Sequence, residues 1–352
     1  MDALENQPGV KRSATSPGTN STDQTSTTLD DIKPFRASWW CRSPHIQTLW
    51  PVLTKRQPQF AYRRQRLELD DGDFLDLDWS GFPENTRSIV LILHGLEGCS
   101  HSHYVRGIVQ ALNRNGHCSV VMHHRGCSGE PNRLARGYHS GDTGDIESVV
   151  SLLRHHHPES PLAVLGYSLG GNILLKWLGE NNRDKQVYAA IAVSVPFELE
   201  VAARKLENGF SSIYQHYLMR HMKASVHRKF TQRRAPVDLA GLNRTNTFYE
   251  FDDLFTGPIH GFEDAPDYYT RSSCKQYLGG ILQPCLIVHA KDDPFMSPDI
   301  VPTPDELSNS TELAVSHNGG HAGFICGASP LTPRYWLEQR IPAYLEKYLA
   351  SR

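Results

Sequence analysis

The segment Gly166-Tyr167-Ser168-Leu169-Gly170 constrains this chain more than any other stretch, because of what flanks it. Before it runs a short apolar segment, Leu162 to Leu165, with the length and composition of a buried strand. After it, Asn172 to Trp177 opens a helix. Glycines two positions either side of a serine at such a junction let the two backbones pass on a sharp turn that presents the hydroxyl above the sheet. The competing reading is an ordinary strand-to-helix turn whose serine caps the helix. The presence of a base and an acid further along the chain separates the two.

A serine hydroxyl is a weak nucleophile until a base takes its proton, and that base needs a third group to fix its tautomer. The turn resembles the nucleophile elbow of the α/β-hydrolase fold, where the partners follow in the order acid, then histidine, on loops after late strands. Cys285 to His289 reads as one such strand, and its loop, Ala290 to Phe295, offers Asp292 and Asp293. Asp293 is preferred for its spacing beyond Ala290, which resembles the G-x-x-D acid loop of related hydrolases; Asp292 is the alternative. The next apolar run, Glu312 to Val315, leads into a glycine-flanked His321, taken as the base, with His317 read as a strand-end surface residue. Two N–H groups complete the expected chemistry by holding a developing oxyanion. Leu169, directly after the serine, supplies one, and Leu96 in His94-Gly-Leu-Glu-Gly98, after the strand Ser88 to Leu93, supplies the other.

Seven segments then carry a closer resemblance. They are Ser43 to Pro51, His94 to Gly98, Arg125 to Asn132, Gly166 to Asn172, Phe251 to Pro258, Ala290 to Phe295 and Gly319 to Phe324, in order from about residue 33 to the C-terminus. Together they resemble the subfamily-four AB hydrolases, the YheT-like group that includes bacterial hydrolases and eukaryotic medium-chain esterases and phospholipases. The resemblance implies an α/β-hydrolase fold with a Ser168, Asp293, His321 triad, acting on a small-molecule acyl ester without a cofactor. Its members span short- and medium-chain ester hydrolysis, acylglycerol and phospholipid lipases, and acyl transfer to an alcohol. A non-catalytic binding protein of the same fold fits less well, because the triad is intact.

The chain of 352 residues is 39% hydrophobic, ample for one large core, and its formal net charge of −2 gives no field that would gather nucleic acid. It shows neither an 18-residue apolar run nor a signal-peptide pattern, so the expected location is the cytoplasm. Seven cysteines without C-x-x-C spacing argue against a disulfide framework and a zinc site. Cys99 and Cys127 read as reduced packing residues. His155, His156 and His157 are consecutive, so on a helix they diverge by about 100° each and cannot share one ion. His123 and His124 read as packing residues, so no metal is expected.

Composition divides the chain. Residues 1–32 are rich in Ser, Thr, Asn, Gln and Asp and are expected to form a disordered tail. Residues 33–352 are expected to form one α/β-hydrolase domain. Residues 33 to about 60 carry Trp39, Trp40 and Trp50 and read as an arm packed over it. Tyr62 to Leu69 and Phe74 to Trp79, split by Asp-Asp-Gly, predict a hairpin. From Ser88 onward, strands alternate with helices, which predicts a mainly parallel central sheet with helices on both faces. Residues 197–280 interrupt that alternation with helical stretches and predict a cap forming an apolar acyl pocket. Its basic residues Arg220, Lys223, Arg228, Lys229, Arg233 and Arg234 read as a solvated face, with transient contact to anionic lipid headgroups as the alternative.

Overall fold

The computed structural model describes residues 33–180, 187–231 and 233–349; the expected disordered tail lies outside the described residues. The chain first forms helix α1 (Pro44–Thr54), started by Pro44 at a position where no amide hydrogen is needed. A hairpin follows, β1 (Arg63–Glu68) and β2 (Phe74–Ser80). Leu69 N–H donates to Asp73 O at 2.9 Å, closing a loop of Asp70, Asp71 and Gly72 in which Gly72 takes φ +84°.

Then come β3 (Ile89–Leu93), α2 (His103–Arg114), β4 (Cys118–Met122), α3 (Thr143–His156), β5 (Leu162–Tyr167), α4 (Leu169–Gly179) and β6 (Ala189–Val193). After the cap come β7 (Cys285–Ala290), β8 (Thr311–Ser316), the two-residue strands β9 (Ile325–Cys326) and β10 (Arg334–Tyr335), and the last helix (Leu337–Leu349). Eight strands join in the order β1-β2-β4-β3-β5-β6-β7-β8, antiparallel at β2 and parallel from β4 to β8.

Alternation along the central strands builds two cores, one on each face. Leu91, Leu93 and Val164 pack with Ile146 and Val149 of α3 and Leu174 and Trp177 of α4. Val90, Ile92 and Leu165 pack with Ile108 and Leu112 of α2 and Ile341 and Leu345 of the last helix. Each such side chain, fully buried, contributes roughly 1.5–3 kcal/mol. Alternation in β2 does not leave its polar residues in water. Asp76 and Asp78 are buried, each held by a two-pronged arginine from the paired strand, Arg66 on Asp76 and Arg64 on Asp78, at 2.7–2.9 Å.

The cap comprises α5 (Leu199–Leu206), α6 (Ser211–Lys229), α7 (Leu239–Arg244), α8 (Phe248–Phe251), a π-helical turn over Asp252–Thr256, α9 (Gly257–His260) and α10 (Ala265–Ser272). It has a core of its own, including Leu199, Met219, Met222, Phe230, Phe248, Phe251, Phe255 and Tyr269. Phe197, Cys274 and Leu278 belong instead to the core under the sheet. Helix α6 runs on to Lys229, because Val226 continues the buried stripe of Met219 and Met222.

The basic stretch is only in part the solvated face expected from its charge. Lys229 is buried and bonds to Asn132 Oδ1 and the Arg136 carbonyl, Lys223 donates to the carbonyls of Asn243 and Thr245, and Arg233 to those of Asn132 and Arg133. Burial lowers the Lys229 ammonium to about 7. Lys229 and Arg233 tie the cap to the loop after β4 and Lys223 ties α6 to the end of α7, whereas Arg220, Arg228 and Arg234 are exposed.

Candidate active site

Ser168 sits between the last residue of β5 and the first of α4 with φ +52° and ψ −119°, a conformation that costs a non-glycine residue of order 1–3 kcal/mol. The helix opens at Leu169, not at Asn172, and takes in Gly170 and Gly171, positions where nothing larger fits. A Cβ on Gly170 would lie 2.5 Å from the Leu93 carbonyl oxygen, and one on Gly166 would lie 2.4 Å from that of Gly170. Ser168 occupies the helix cap position, yet its side chain makes no capping hydrogen bond. Its backbone is pinned instead, with Ser168 N–H on Val193 O at 2.8 Å and Asn172 N–H on Ser168 O at 3.0 Å.

His321 Nδ1 lies 2.9 Å from Asp293 Oδ2, and Asp293 Oδ1 accepts the Phe295 N–H at 2.9 Å. With the carboxylate on Nδ1, the proton rests there and Nε2 is left as the acceptor. Asp292 does something else: Oδ1 accepts the Gly320 N–H at 3.0 Å and Oδ2 the Asn318 side-chain amide at 3.2 Å, which fixes the loop that carries His321. Phe295 stacks on the His321 ring at 4.1 Å and 3°. His317 is exposed one residue beyond β8. His289, at the end of β7, is buried and held neutral, lowered to about 4.

The arm contributes directly to this loop. Thr48 Oγ1 of α1 accepts the His321 N–H at 2.9 Å, and Gln47 bonds to Ile325 through both amide atoms, at 3.1 and 2.6 Å. Gly320 and Gly323 let α1 approach this closely, since a Cβ on Gly323 would lie 2.1 Å from the Gln47 carbonyl oxygen. Sequence reasoning saw the segment Ser43 to Pro51 as a matching motif and missed this role.

Leu169 stands at the first helical position, whose N–H has no acceptor within the helix. In the other loop, Gly95 N–H donates to Tyr104 Oη at 2.9 Å, Glu97 N–H to Tyr138 Oη at 3.0 Å and Gly98 N–H to Gly95 O at 3.0 Å. The Leu96 N–H alone among these finds no acceptor in the described residues. A Cβ on Gly95 would lie 3.3 Å from Ser168 Cβ, so the two loops touch. Ser168, His321, Leu169 and Leu96 all line one cavity of about 550 Å³, walled on the cap side by Leu199, Leu206, Phe210, Ile213 and Leu218. A smaller cavity of about 140 Å³ adjoins it, sharing Leu96, Glu97 and Leu169 and lined further by Lys229 and Tyr138.

The other histidines and cysteines singled out in the sequence do not line the larger cavity. His155 and His156 are exposed at the end of α3; His123 Nε2 bonds to Asp78 at 2.8 Å and His124 Nε2 to His94 O at 2.9 Å. Cys99 and Cys127 are free thiols, and no group of His, Cys, Asp and Glu among the described residues is arranged to hold a metal ion. No helix of the described residues is long and apolar enough to cross a membrane.

A family model described as the alpha/beta hydrolase fold matches residues 88–328. The chain is 45% identical over 312 residues to YheT of Escherichia coli (strain K12), which carries a provisional esterase name, covering 88% of this chain and 92% of that protein. It is 28% identical over 305 residues to human phospholipase ABHD3, covering 84% of this chain and 75% of that one. Among solved structures, the Pyrococcus furiosus esterase Pf2001 shares the fold with a TM-score of 0.55 at 15% identity, over 90% of this chain and 97% of that one. The strained serine turn, the parallel sheet and these matches agree: the chain belongs to the α/β-hydrolase family, in its YheT-like group.

Proposed function

We propose that this enzyme is a serine carboxylester hydrolase acting on short- to medium-chain acyl esters. The observation that carries the reading is the 2.9 Å bond between His321 Nδ1 and Asp293 Oδ2, on the wall of the cavity that also holds the strained, uncapped Ser168. Ser168 Oγ attacks the ester carbonyl carbon while His321 Nε2 takes its proton, and Asp293 stabilises the imidazolium. The carbonyl oxygen gains the charge and is held by the Leu169 and Leu96 N–H groups; loss of one such donor costs about 3–4 kcal/mol of barrier in a comparable site. The carbon–oxygen bond to the alcohol breaks, with the alcohol leaving on the proton from His321. Water, activated by the same imidazole, then releases the acid and restores the serine.

The acyl group occupies this cavity, whose volume of about 550 Å³ and largely aliphatic and aromatic lining suit a hydrocarbon chain. The names of the relatives, an esterase and a phospholipase, support an ester substrate with a lipid character. A panel of p-nitrophenyl esters from acetate to palmitate, run on wild type and Ser168→Ala, tests the reading. Turnover that peaks at short or medium chains in wild type and vanishes in the variant is the expected result. Equal turnover by the two proteins, or a peak at palmitate, contradicts it.

A further inference from the structure

An oxyanion donor works only if its direction is fixed before charge develops, so what holds the Leu96 N–H decides whether that donor exists. Tyr104 fastens the peptide before it and Tyr138 the peptide after it. The second fastening is unusual. Glu97 has φ +51°, a left-handed backbone that a glutamate adopts only under constraint. The Tyr138 hydroxyl accepts the Glu97 N–H at 3.0 Å and donates to Glu97 Oε1 at 2.9 Å, so one phenol grips both the main chain and the side chain of the same residue. The phenol is itself immobilised, stacked on His124 at 5.0 Å and 17°, and His124 Nε2 bonds to the His94 carbonyl at the start of the loop.

The other carboxylate oxygen reaches into the cap: Ser225 Oγ of α6 donates to Glu97 Oε2 at 2.5 Å, and Arg228 Nη2 donates to that Ser225 hydroxyl at 3.1 Å. Glu97 lines both cavities, so it stands where the cap meets the oxyanion loop. Its carboxylate accepts from both hydroxyls, one from the loop after β4 and one from the cap.

We propose that Glu97 is a positioning residue that couples the cap to the oxyanion donor, an inference that rests on the serine hydrolase reading above. With Ser225 seated on its carboxylate, the left-handed turn at Glu97 is held and the Leu96 N–H faces the cavity. When α6 lifts, Glu97 loses a hydrogen bond and its backbone relaxes, so covering the substrate and completing the oxyanion site are one event. What the contact supports, the Leu96 N–H on a charged oxygen, is an interaction that strengthens in the transition state more than in ground-state binding.

The test measures kcat and KM for Glu97→Ala, Glu97→Gln, Ser225→Ala and Tyr138→Phe on the preferred p-nitrophenyl ester. It adds inhibition by a trifluoromethyl ketone of matching chain length, whose tetrahedral adduct carries an oxyanion. Glu97→Ala is expected to lower kcat about 10- to 100-fold, as misplacement of a catalytic group does, with KM within about twofold and the ketone weakened in parallel with kcat. Ser225→Ala is expected to lose roughly 3- to 10-fold in both, in the range of one neutral hydrogen bond. Glu97→Gln should recover most of the loss, because its amide oxygen still accepts from Tyr138 and its NH2 donates to Ser225. A raised KM at constant kcat would mean that Glu97 merely lines the pocket, and overturns the coupling.

Should Glu97→Ala fail to fold, Ser225→Ala decides: a joint fall in kcat and ketone affinity supports the coupling, and wild-type values overturn it. Fluorophosphonate labelling of wild type keeps the two readings apart. A wild type that neither labels nor hydrolyses esters contradicts the hydrolase reading and the coupling built on it. A wild type that does both, with variants that match it, contradicts the coupling alone.

Discussion

Asp293 reaches the ring of His321, Oδ2 to Nδ1 at 2.9 Å, while its neighbour Asp292 takes the backbone N–H of Gly320 in the same loop. Two adjacent carboxylates thus serve one histidine at two levels, one on its ring and the other on its loop. Asp293→Asn should lower kcat by several orders of magnitude, about 10⁴ where the equivalent change favours the wrong tautomer in a serine protease. Asp292→Asn keeps an oxygen acceptor for Gly320 and should lose far less. Steady-state turnover of the two variants checks this; the reverse ranking would contradict the assignment of Asp293.

Thr48 extends the same logic to the arm. Its hydroxyl accepts the His321 N–H at 2.9 Å and itself donates to the Pro44 carbonyl at 2.8 Å, joining the His321 loop to the first turn of α1. Thr48→Ala leaves that N–H without its acceptor and should reduce kcat by roughly tenfold, while Thr48→Ser retains most activity. A Thr48→Ala enzyme with wild-type kcat would show that the arm does not set the histidine.

The glycines divide into two kinds, with different expected penalties. At Gly170 an added methyl meets the Leu93 and His94 carbonyl oxygens at 2.5 and 2.6 Å, with backbone on both sides and nothing able to yield. Gly170→Ala should destabilise by roughly 2–4 kcal/mol. At Gly72 the space is open and only φ +84° opposes a side chain, so Gly72→Ala should cost about 1 kcal/mol. Denaturant midpoints rank the two, and equal penalties would contradict the packing argument.

Acid should destabilise the fold through buried imidazoles. Burial lowers His103, His124 and His289 to about 4. Between the unfolded value of about 6.5 and that folded value, the unfolded chain binds more protons, so stability is lost as pH falls through this window. Asp252 acts in the opposite sense, since burial raises it to about 6 and the folded state takes up its proton first. Burial also lowers His94, His117, His139 and His260, against Asp145 and Asp292 raised with Asp252, so the lowered imidazoles prevail and the melting temperature should drop by several degrees between pH 7 and pH 4.5. A melting temperature that holds or rises over that interval would contradict the neutral burial of these histidines.

The sheet and the serine turn were legible because their signals are local: strands appear as apolar runs, and Ser168 lies within a fixed spacing of two glycines. The pairing of His321 with Asp293 is foreshadowed by chain order, with Asp292 left open because adjacent carboxylates in a loop differ only in which way each side chain turns. The roles of Thr48 and Glu97 could not be read in the same way. Thr48 lies 273 residues from His321, and Glu97 is 128 residues from Ser225. The cations of the cap misled for a related reason: charge alone suggests solvent, whereas Lys229 and Arg233 find carbonyl oxygens in a loop about 100 residues away.

The central claim is that Ser168 is the activated nucleophile. Its most direct test is covalent labelling with a fluorophosphonate probe, followed by identification of the modified peptide. Wild type should be labelled on Ser168 alone, Ser168→Ala should not be labelled, and His321→Ala should be labelled far more slowly. Equal labelling of Ser168→Ala, or modification at another residue of the wild-type chain, would contradict it.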